Sequence, residues 1–380
     1  MLRYSRIIRL RINASETIAN GCIVNTSPVH SEYDLLSDSR NHLNITHFVN
    51  SVYPGLENTM KLLKGSIVAL VTPFVDDAEQ SVNREKLAEL VKLHADSKTA
   101  AIVPCGTTGE SPTLLKDEWD AVVSTVIEVA RDTNLKVIPG TGSNSTREAL
   151  RLTERAAELG AHACLVVTPY YNRPSPEGVL AHFQELDKVG IPLILYNIPS
   201  RTGIDLGADL IMELCEKCPS IAGLKASNGD LDQITEVIYR SSLLGRPFSV
   251  FSGDDSLTLP ILSVGGVGVI SVATNIMPRV MDELVASFMR SDLNQSRIIT
   301  HAIHGFCRAL LKSGSNPAPI KSVMNRAGMN VGSCRKPLVD LSKDKAATLF
   351  YELQMMKTRL SAQHIPYDDV LTGCYDTAVE

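Results

Sequence analysis

The sequence predicts an α/β protein: a closed (β/α)8 TIM barrel followed by a small C-terminal helical domain. Short apolar or β-branched runs begin near Ile67, Ala101, Val137, Cys164, Leu193, Ile221, Phe248 and Gly268, spaced 20 to 36 residues apart. Their continuous apolar character marks strands buried on both faces, as in a parallel sheet covered by helices. The segments between them have helical periodicity, and eight such units within about 225 residues fit a closed barrel better than an open doubly wound sheet. The open sheet also lacks its glycine fingerprint. Gly265-Gly266-Val267-Gly268 has no third glycine at the needed offset and precedes a strand instead of following one.

Taken in order, residues 1–59 form an N-terminal extension with five Arg, five acids, many Asn and Ser, and no sustained period. Four Arg and no acid in the first 15 residues fit an organellar transit peptide, and the other readings are a disordered extension or a start at Met60. The barrel is expected over 60–291. In Thr146–Gly160, Ala149, Leu152, Ala156 and Leu159 form one apolar stripe, with Thr146 placed to cap the helix start. Ser256–Pro278 holds no charged residue, but Pro260, Gly265, Gly266, Gly268 and Asn275 would burden a membrane-spanning helix. The run reads instead as a buried helix near Leu257–Val264, a glycine turn, and a buried strand Val267–Val272. After about Asp292 the strand signals stop. Gln295–Lys312, Pro317–Ala327 and Lys343–Leu360 read as helices of a C-terminal domain over 292–380, the second opened by Asn316-Pro317 at N-cap and N1.

Composition narrows the class of function. With 44 % hydrophobic and 21 % charged residues over 380 positions, collagen-like, disordered and coiled-coil chains are excluded and a large core is available. The net charge of −5, with no basic stripe, argues against a nucleic-acid partner. No membrane partner is expected either. Eight scattered Cys favour free thiols in a reducing compartment, so a cytoplasmic location is expected, or an organellar one if residues 1–59 target the chain. Cys215-Glu216-Lys217-Cys218 has no second pair or nearby His and reads as two unpaired thiols on a helix end. His301 and His304 lie away from the strand ends and read as structural, and Asp254-Asp255 as acids favouring a helix dipole rather than a cation site.

In a (β/α)8 barrel the chemistry sits at the C-terminal ends of the strands. Strand 2 ends in Cys105-Gly106-Thr107-Thr108-Gly109-Glu110-Ser111, strand 4 in Thr168-Pro169-Tyr170-Tyr171-Asn172-Arg173-Pro174, and strand 5 in Tyr196-Asn197-Ile198-Pro199-Ser200-Arg201-Thr202-Gly203. Strand 6, Ile221-Ala222-Gly223-Leu224-Lys225, finishes on a lysine. An ammonium at the end of an apolar strand must reach water, find an acid or do amine chemistry, and Lys225 is placed to form a Schiff base with a ketone. A lysine that merely snorkels to the rim is the bland alternative. Context favours chemistry, since Tyr196 on the adjacent strand and the hydroxyls of the strand 2 turn supply the proton shuttle that such a reaction needs.

These motifs, together with Ser252-Gly253-Asp254-Asp255, Gly268-Val269-Ile270-Ser271-Val272 and Asn316-Pro317-Ala318-Pro319-Ile320-Lys321, closely resemble the 4-hydroxy-tetrahydrodipicolinate (dihydrodipicolinate) synthase family, of the N-acetylneuraminate lyase superfamily of class I pyruvate aldolases. The resemblance runs from Met60 to about Leu341. It implies a lyase that condenses pyruvate with L-aspartate 4-semialdehyde to 4-hydroxy-tetrahydrodipicolinate in lysine (diaminopimelate) biosynthesis, with no metal or organic cofactor. Lys225 would be the nucleophile and Tyr196 the acid/base. Thr107 and Tyr171 would complete a hydroxyl relay, Tyr171 reaching in from a neighbouring subunit of a homodimer or homotetramer. Thr108 would hold the pyruvate carboxylate, Arg201 would grip the semialdehyde carboxylate, and Gly253 and Ile270 would offer backbone carbonyls. The alternative is another pyruvate-dependent aldolase acting on a keto-sugar acid, which would share Lys225 and Tyr196 but have little use for Arg201. A non-catalytic barrel would be expected to have lost Lys225, Tyr196 or a relay hydroxyl, and all are present.

Two departures stand out. The family often has an acid after the lysine, where this chain has Ala226-Ser227. In feedback-inhibited members lysine binds at positions matching Ser111, Lys116, Trp119, Asn144, Glu148 and Tyr170, and Lys116 sets a like charge against that ligand. Weak or absent lysine inhibition is therefore expected.

Overall fold

The computed structural model describes residues 63–367. The expected extension, residues 1–59, lies outside them. The eight apolar runs are eight parallel strands: β1 Gly65–Ala69, β2 Ala101–Val103, β3 Lys136–Val137, β4 Cys164–Val167, β5 Leu193–Asn197, β6 Ile221–Ala226, β7 Ser249–Ser252 and β8 Gly268–Ser271. They are laid side by side in the order β3-β2-β1-β8-β7-β6-β5-β4. Beyond the end of β3 the sheet closes onto β4 through a parallel bridge, Gly140 to Leu165, where the Thr141 N–H donates to the Leu165 carbonyl at 3.0 Å and the Leu165 N–H to the Pro139 carbonyl at 2.9 Å.

Helices follow the strands as α1 Arg84–Asp96, α2 Lys116–Ala130, α3 Thr146–Leu159, α4 Pro176–Asp187, a single turn α5 Pro199–Thr202, α6 Ala208–Lys217, α7 Leu231–Ser241, α8 Thr258–Ser263 and α9 Pro278–Met289. The C-terminal segment adds α10 Leu293–Lys312, α11 Ala318–Arg326 and α12 Lys343–Ala362. Two caps differ from expectation. Ser145, not Thr146, is the N-cap residue of α3, because the Thr146 hydroxyl is taken by His182 Nδ1 at 3.0 Å. Pro317, not Asn316, is the N-cap residue of α11, because the Asn316 amide is committed to the barrel. The uncharged run Ser256–Pro278 holds α8 and β8 as read, and no described helix is long and apolar enough to cross a membrane.

The core has two layers. Outside, Val68, Ile102, Leu193, Leu195, Ile221, Leu224 and Val269 pack against the helices; inside, Ile67, Ala69, Val103, Leu165, Ile194, Tyr196, Ala222, Phe251 and Ile270 fill the barrel. Alternation along a strand assigns each side chain to one layer. β6 breaks the alternation. Leu193 pairs with Ile221, but Ile194 pairs with Gly223, so Ala222 is an extra residue. Such a bulge reverses the side-chain parity of everything after it.

Candidate active site

That reversal sets the site. Without it, Lys225 would share the outward face of Ile221; with it, Lys225 pairs with inward-facing Tyr196 and its Nζ lies 4.3 Å from the centre of the Tyr196 ring. Lys225 is 5 % exposed and Tyr196 6 %, and among the described residues no carboxylate lies within ion-pair reach of Lys225. The bulge needs Gly223: a Cβ there would lie 2.6 Å from the Ser249 carbonyl oxygen. Gly253, whose N–H donates to the Ala226 carbonyl at 2.7 Å, leaves room at the end of β6, since a Cβ on it would collide with Ser227 Oγ and approach Lys225 Cε to 3.1 Å. Ile270 lies across β8 on the same inner layer. Ala226 belongs to the outer layer, so the residue standing where relatives often carry an acid is turned toward the helices.

A cavity of about 210 Å³ opens beside Tyr196, with Thr107, Ser111, Tyr170 and Arg201 also among its lining residues, whereas Lys225, Thr108, Gly253 and Ile270 do not line it. Arg201 is exposed on the one-turn helix α5 that follows β5. The strand 2 turn is tightly tied: the Glu110 N–H donates to the Thr107 carbonyl at 3.1 Å, the Ser111 N–H to Gly106 at 3.2 Å, and the Thr72 hydroxyl to Gly109 at 2.7 Å. Thr108 is buried, and its hydroxyl oxygen accepts from the Asn316 amide at 2.9 Å. Tyr171 stands apart. It is 89 % exposed on a left-handed backbone (φ 71°), outside the cavity of its own chain.

The residues expected to bind lysine are differently engaged. Trp119 is buried and donates its indole N–H to the Gly140 carbonyl at 3.2 Å. The Asn144 carbonyl accepts from Asn172 Nδ2 at 2.8 Å. Glu148 is forked onto Arg151 at 2.8 and 3.1 Å, and Arg151 first, then Lys116, holds its carboxyl below the usual range. Arg151 is a charge the sequence reading did not anticipate.

Asp255 is a second surprise. Asp254 caps the short turn Asp255–Leu257 through the Ser256 N–H at 2.9 Å, as acids at a helix start should, but Asp255 is buried. Its Oδ2 accepts from the Ala273 N–H at 3.0 Å, and burial pushes its carboxyl up to about 6, against the pull of Ser271, Ala273 and Lys225. Cys215 and Cys218 are free, and burial pushes both thiols up to about 12. Among the described residues no cluster of His, Cys, Asp and Glu is arranged to hold a metal ion.

Residues 62–356 match the dihydrodipicolinate synthetase family. The chain belongs to that family. A 4-hydroxy-tetrahydrodipicolinate synthase of Aquifex aeolicus is 43 % identical over 284 residues, 74 % of this chain and 94 % of that protein. The dihydrodipicolinate synthetase fold is equally evident in solved structures. The 4-hydroxy-tetrahydrodipicolinate synthase of Methylacidiphilum fumariolicum SolV superposes with a TM-score of 0.75 at 36 % identity, covering 80 % of this chain and 99 % of that one. A lysine-bound enzyme of the family from Cyanidioschyzon merolae gives 0.74 at 35 % identity, covering 78 % and 99 %.

Proposed function

We propose that this chain is a Schiff-base lyase that condenses pyruvate with L-aspartate 4-semialdehyde to 4-hydroxy-tetrahydrodipicolinate, on the route to lysine through diaminopimelate. The observation that carries the residue roles is the Lys225–Tyr196 stack inside the barrel, with no carboxylate among the described residues paired to the lysine. Lys225 Nζ attacks C2 of pyruvate. The carbonyl oxygen gains protons and leaves as water, and the C2–N bond becomes an iminium. Loss of a proton from C3 gives an enamine, whose C3 bonds to the aldehyde carbon of the second substrate. The aldehyde oxygen is protonated to the 4-hydroxyl, and the substrate's own amine displaces Lys225 from C2 to close the ring.

Tyr196 exchanges these protons, fed through Thr107 and Tyr171. Thr107 lines the cavity from its own chain. The exposure of Tyr171 fits a side chain completed by a second copy, so the enzyme works as a homodimer or homotetramer. Thr108 holds the pyruvate carboxylate, Arg201 the semialdehyde carboxylate at the mouth, and the carbonyls of Gly253 and Ile270 close the floor. The enzyme acts in the cytoplasm, or in an organelle if residues 1–59 direct it there.

The test is a coupled assay with pyruvate, L-aspartate 4-semialdehyde and excess dihydrodipicolinate reductase, following NADPH. Oxidation that needs both substrates and disappears in Lys225→Ala is expected. Undiminished turnover by Lys225→Ala would overturn the assignment, and borohydride trapping of pyruvate without turnover would redirect the search to other aldehydes.

A further inference from the structure

The turn that follows β2 is held from outside the barrel. Asn316, in the link between α10 and α11, donates from Nδ2 to Thr108 Oγ1 at 2.9 Å. Two residues on, Glu110 receives Lys321 of α11, with Nζ 2.7 Å from Oε1 and the two side chains 0 % and 1 % exposed. The Arg335 N–H donates to the other oxygen of Glu110 at 2.8 Å, and its guanidinium reaches the Thr113 carbonyl at 2.9 Å and both oxygens of Glu118. The C-terminal segment therefore grips the turn on both sides of Gly109.

A threonine hydroxyl has one hydrogen to give and two lone pairs. An amide N–H on one lone pair polarises the O–H and turns its hydrogen away from the donor, toward whatever acceptor approaches. A carboxylate is the strongest such acceptor. We propose that Asn316 is a positioning residue for the keto acid: its amide fixes the Thr108 hydroxyl as a donor to the substrate carboxylate, and the Glu110–Lys321 pair keeps the turn seated on α11 while it does so. This rests on the Schiff-base reading above, in which Thr108 meets that carboxylate.

The test reads pyruvate saturation twice, by borohydride trapping on Lys225 followed by intact mass, which needs no aldehyde, and by the coupled assay. Asn316→Ala should raise half-saturating pyruvate about tenfold in both, the loss of one hydrogen bond in an array that ends on a charge. The semialdehyde KM and kcat should stay within about threefold, because Arg201 and Lys225 are untouched. Asn316 acts through Thr108, so Asn316→Ala should add nothing in a Thr108→Val background, whereas a purely structural role would multiply the two losses. Asn316→Asp, which keeps the packing, draws the hydroxyl hydrogen to itself and should raise half-saturation further. Wild-type pyruvate saturation in Asn316→Ala or Asn316→Asp, or multiplying effects, overturns this proposal alone. A wild-type enzyme that traps no pyruvate overturns the Schiff-base reading and this inference with it.

Discussion

Gly223→Ala tests how the lysine comes to face inward. The bulge at Ala222 places Gly223 opposite both Ile194 and Ser249. An alanine Cβ there would meet the Ser249 carbonyl oxygen at 2.6 Å, almost an ångström inside the about 3.5 Å at which non-bonded atoms settle. Backbone must yield, since the obstacle is the main chain of β7 and not a flexible side chain. Overpacking of this kind costs about 1–3 kcal/mol, of which alanine's lower chain entropy returns about 0.5–1. A net loss of about 1–2 kcal/mol is expected from denaturant unfolding. Lys225 lies two residues on, paired with Phe251 on the strand that must move. A displacement approaching 1 Å at a reacting group costs up to about a hundredfold, so the coupled assay should show kcat down about 10- to 100-fold with the fold retained by circular dichroism. A Gly223→Ala enzyme within about 0.5 kcal/mol and twofold of wild type would refute the idea that close strand approach at Gly223 aims the lysine.

Lys321→Met should cost about 3–5 kcal/mol in urea unfolding, because Glu110 is left buried without its partner, while Glu110→Gln/Lys321→Met should recover most of that loss; additive losses would refute the pairing. Asp255, lifted by burial from an ordinary 3.8 to about 6, binds its proton more tightly folded than unfolded. Its contribution to stability is therefore complete below about pH 4 and declines by about 3 kcal/mol as pH rises through 6, and Asp255→Asn should remove that decline from the wild-type profile; identical profiles between pH 4 and 7 would refute it. Lysine should inhibit weakly, because Glu148 is already neutralised by Arg151 and Lys116, and half-inhibition at sub-millimolar lysine would show otherwise.

The eight strands and three C-terminal helices were legible because buried parallel strands are unbroken apolar runs and surface helices keep one apolar stripe. That same unbroken character hid which way Lys225 points. In a strand apolar on both faces, alternation carries no sign of inside or outside, and only the pairing skip at Ala222 reveals the parity. The glycine in Ile221-Ala222-Gly223-Leu224-Lys225 was the available signal, since a glycine inside a strand marks a bulge or a close approach. Thr146 and Asn316 were read as caps from local chemistry, and each instead serves a distant residue, His182 or Thr108. The 208 positions between Thr108 and Asn316 put that contact beyond any local pattern.

The strand 2 turn shows why the C-terminal segment matters to a site made at barrel ends. Cys105 and Glu110 both hold a left-handed backbone, φ 54° and 55°, without being glycine. Such conformations cost about 1 kcal/mol or more each and persist only where surroundings over-determine them. Within the barrel, Thr72 on the Gly109 carbonyl is one restraint. The others reach Glu110 and Thr108 from Lys321, Arg335 and Asn316, and Lys321 and Arg335 also stack on Phe74 at 4.2 and 4.3 Å. Burial pulls the Lys321 ammonium down and Glu110 holds it up, so each charge needs the other in place. The backbone that carries Thr107 and Thr108 is thus stabilised by charges that a barrel alone would not contain.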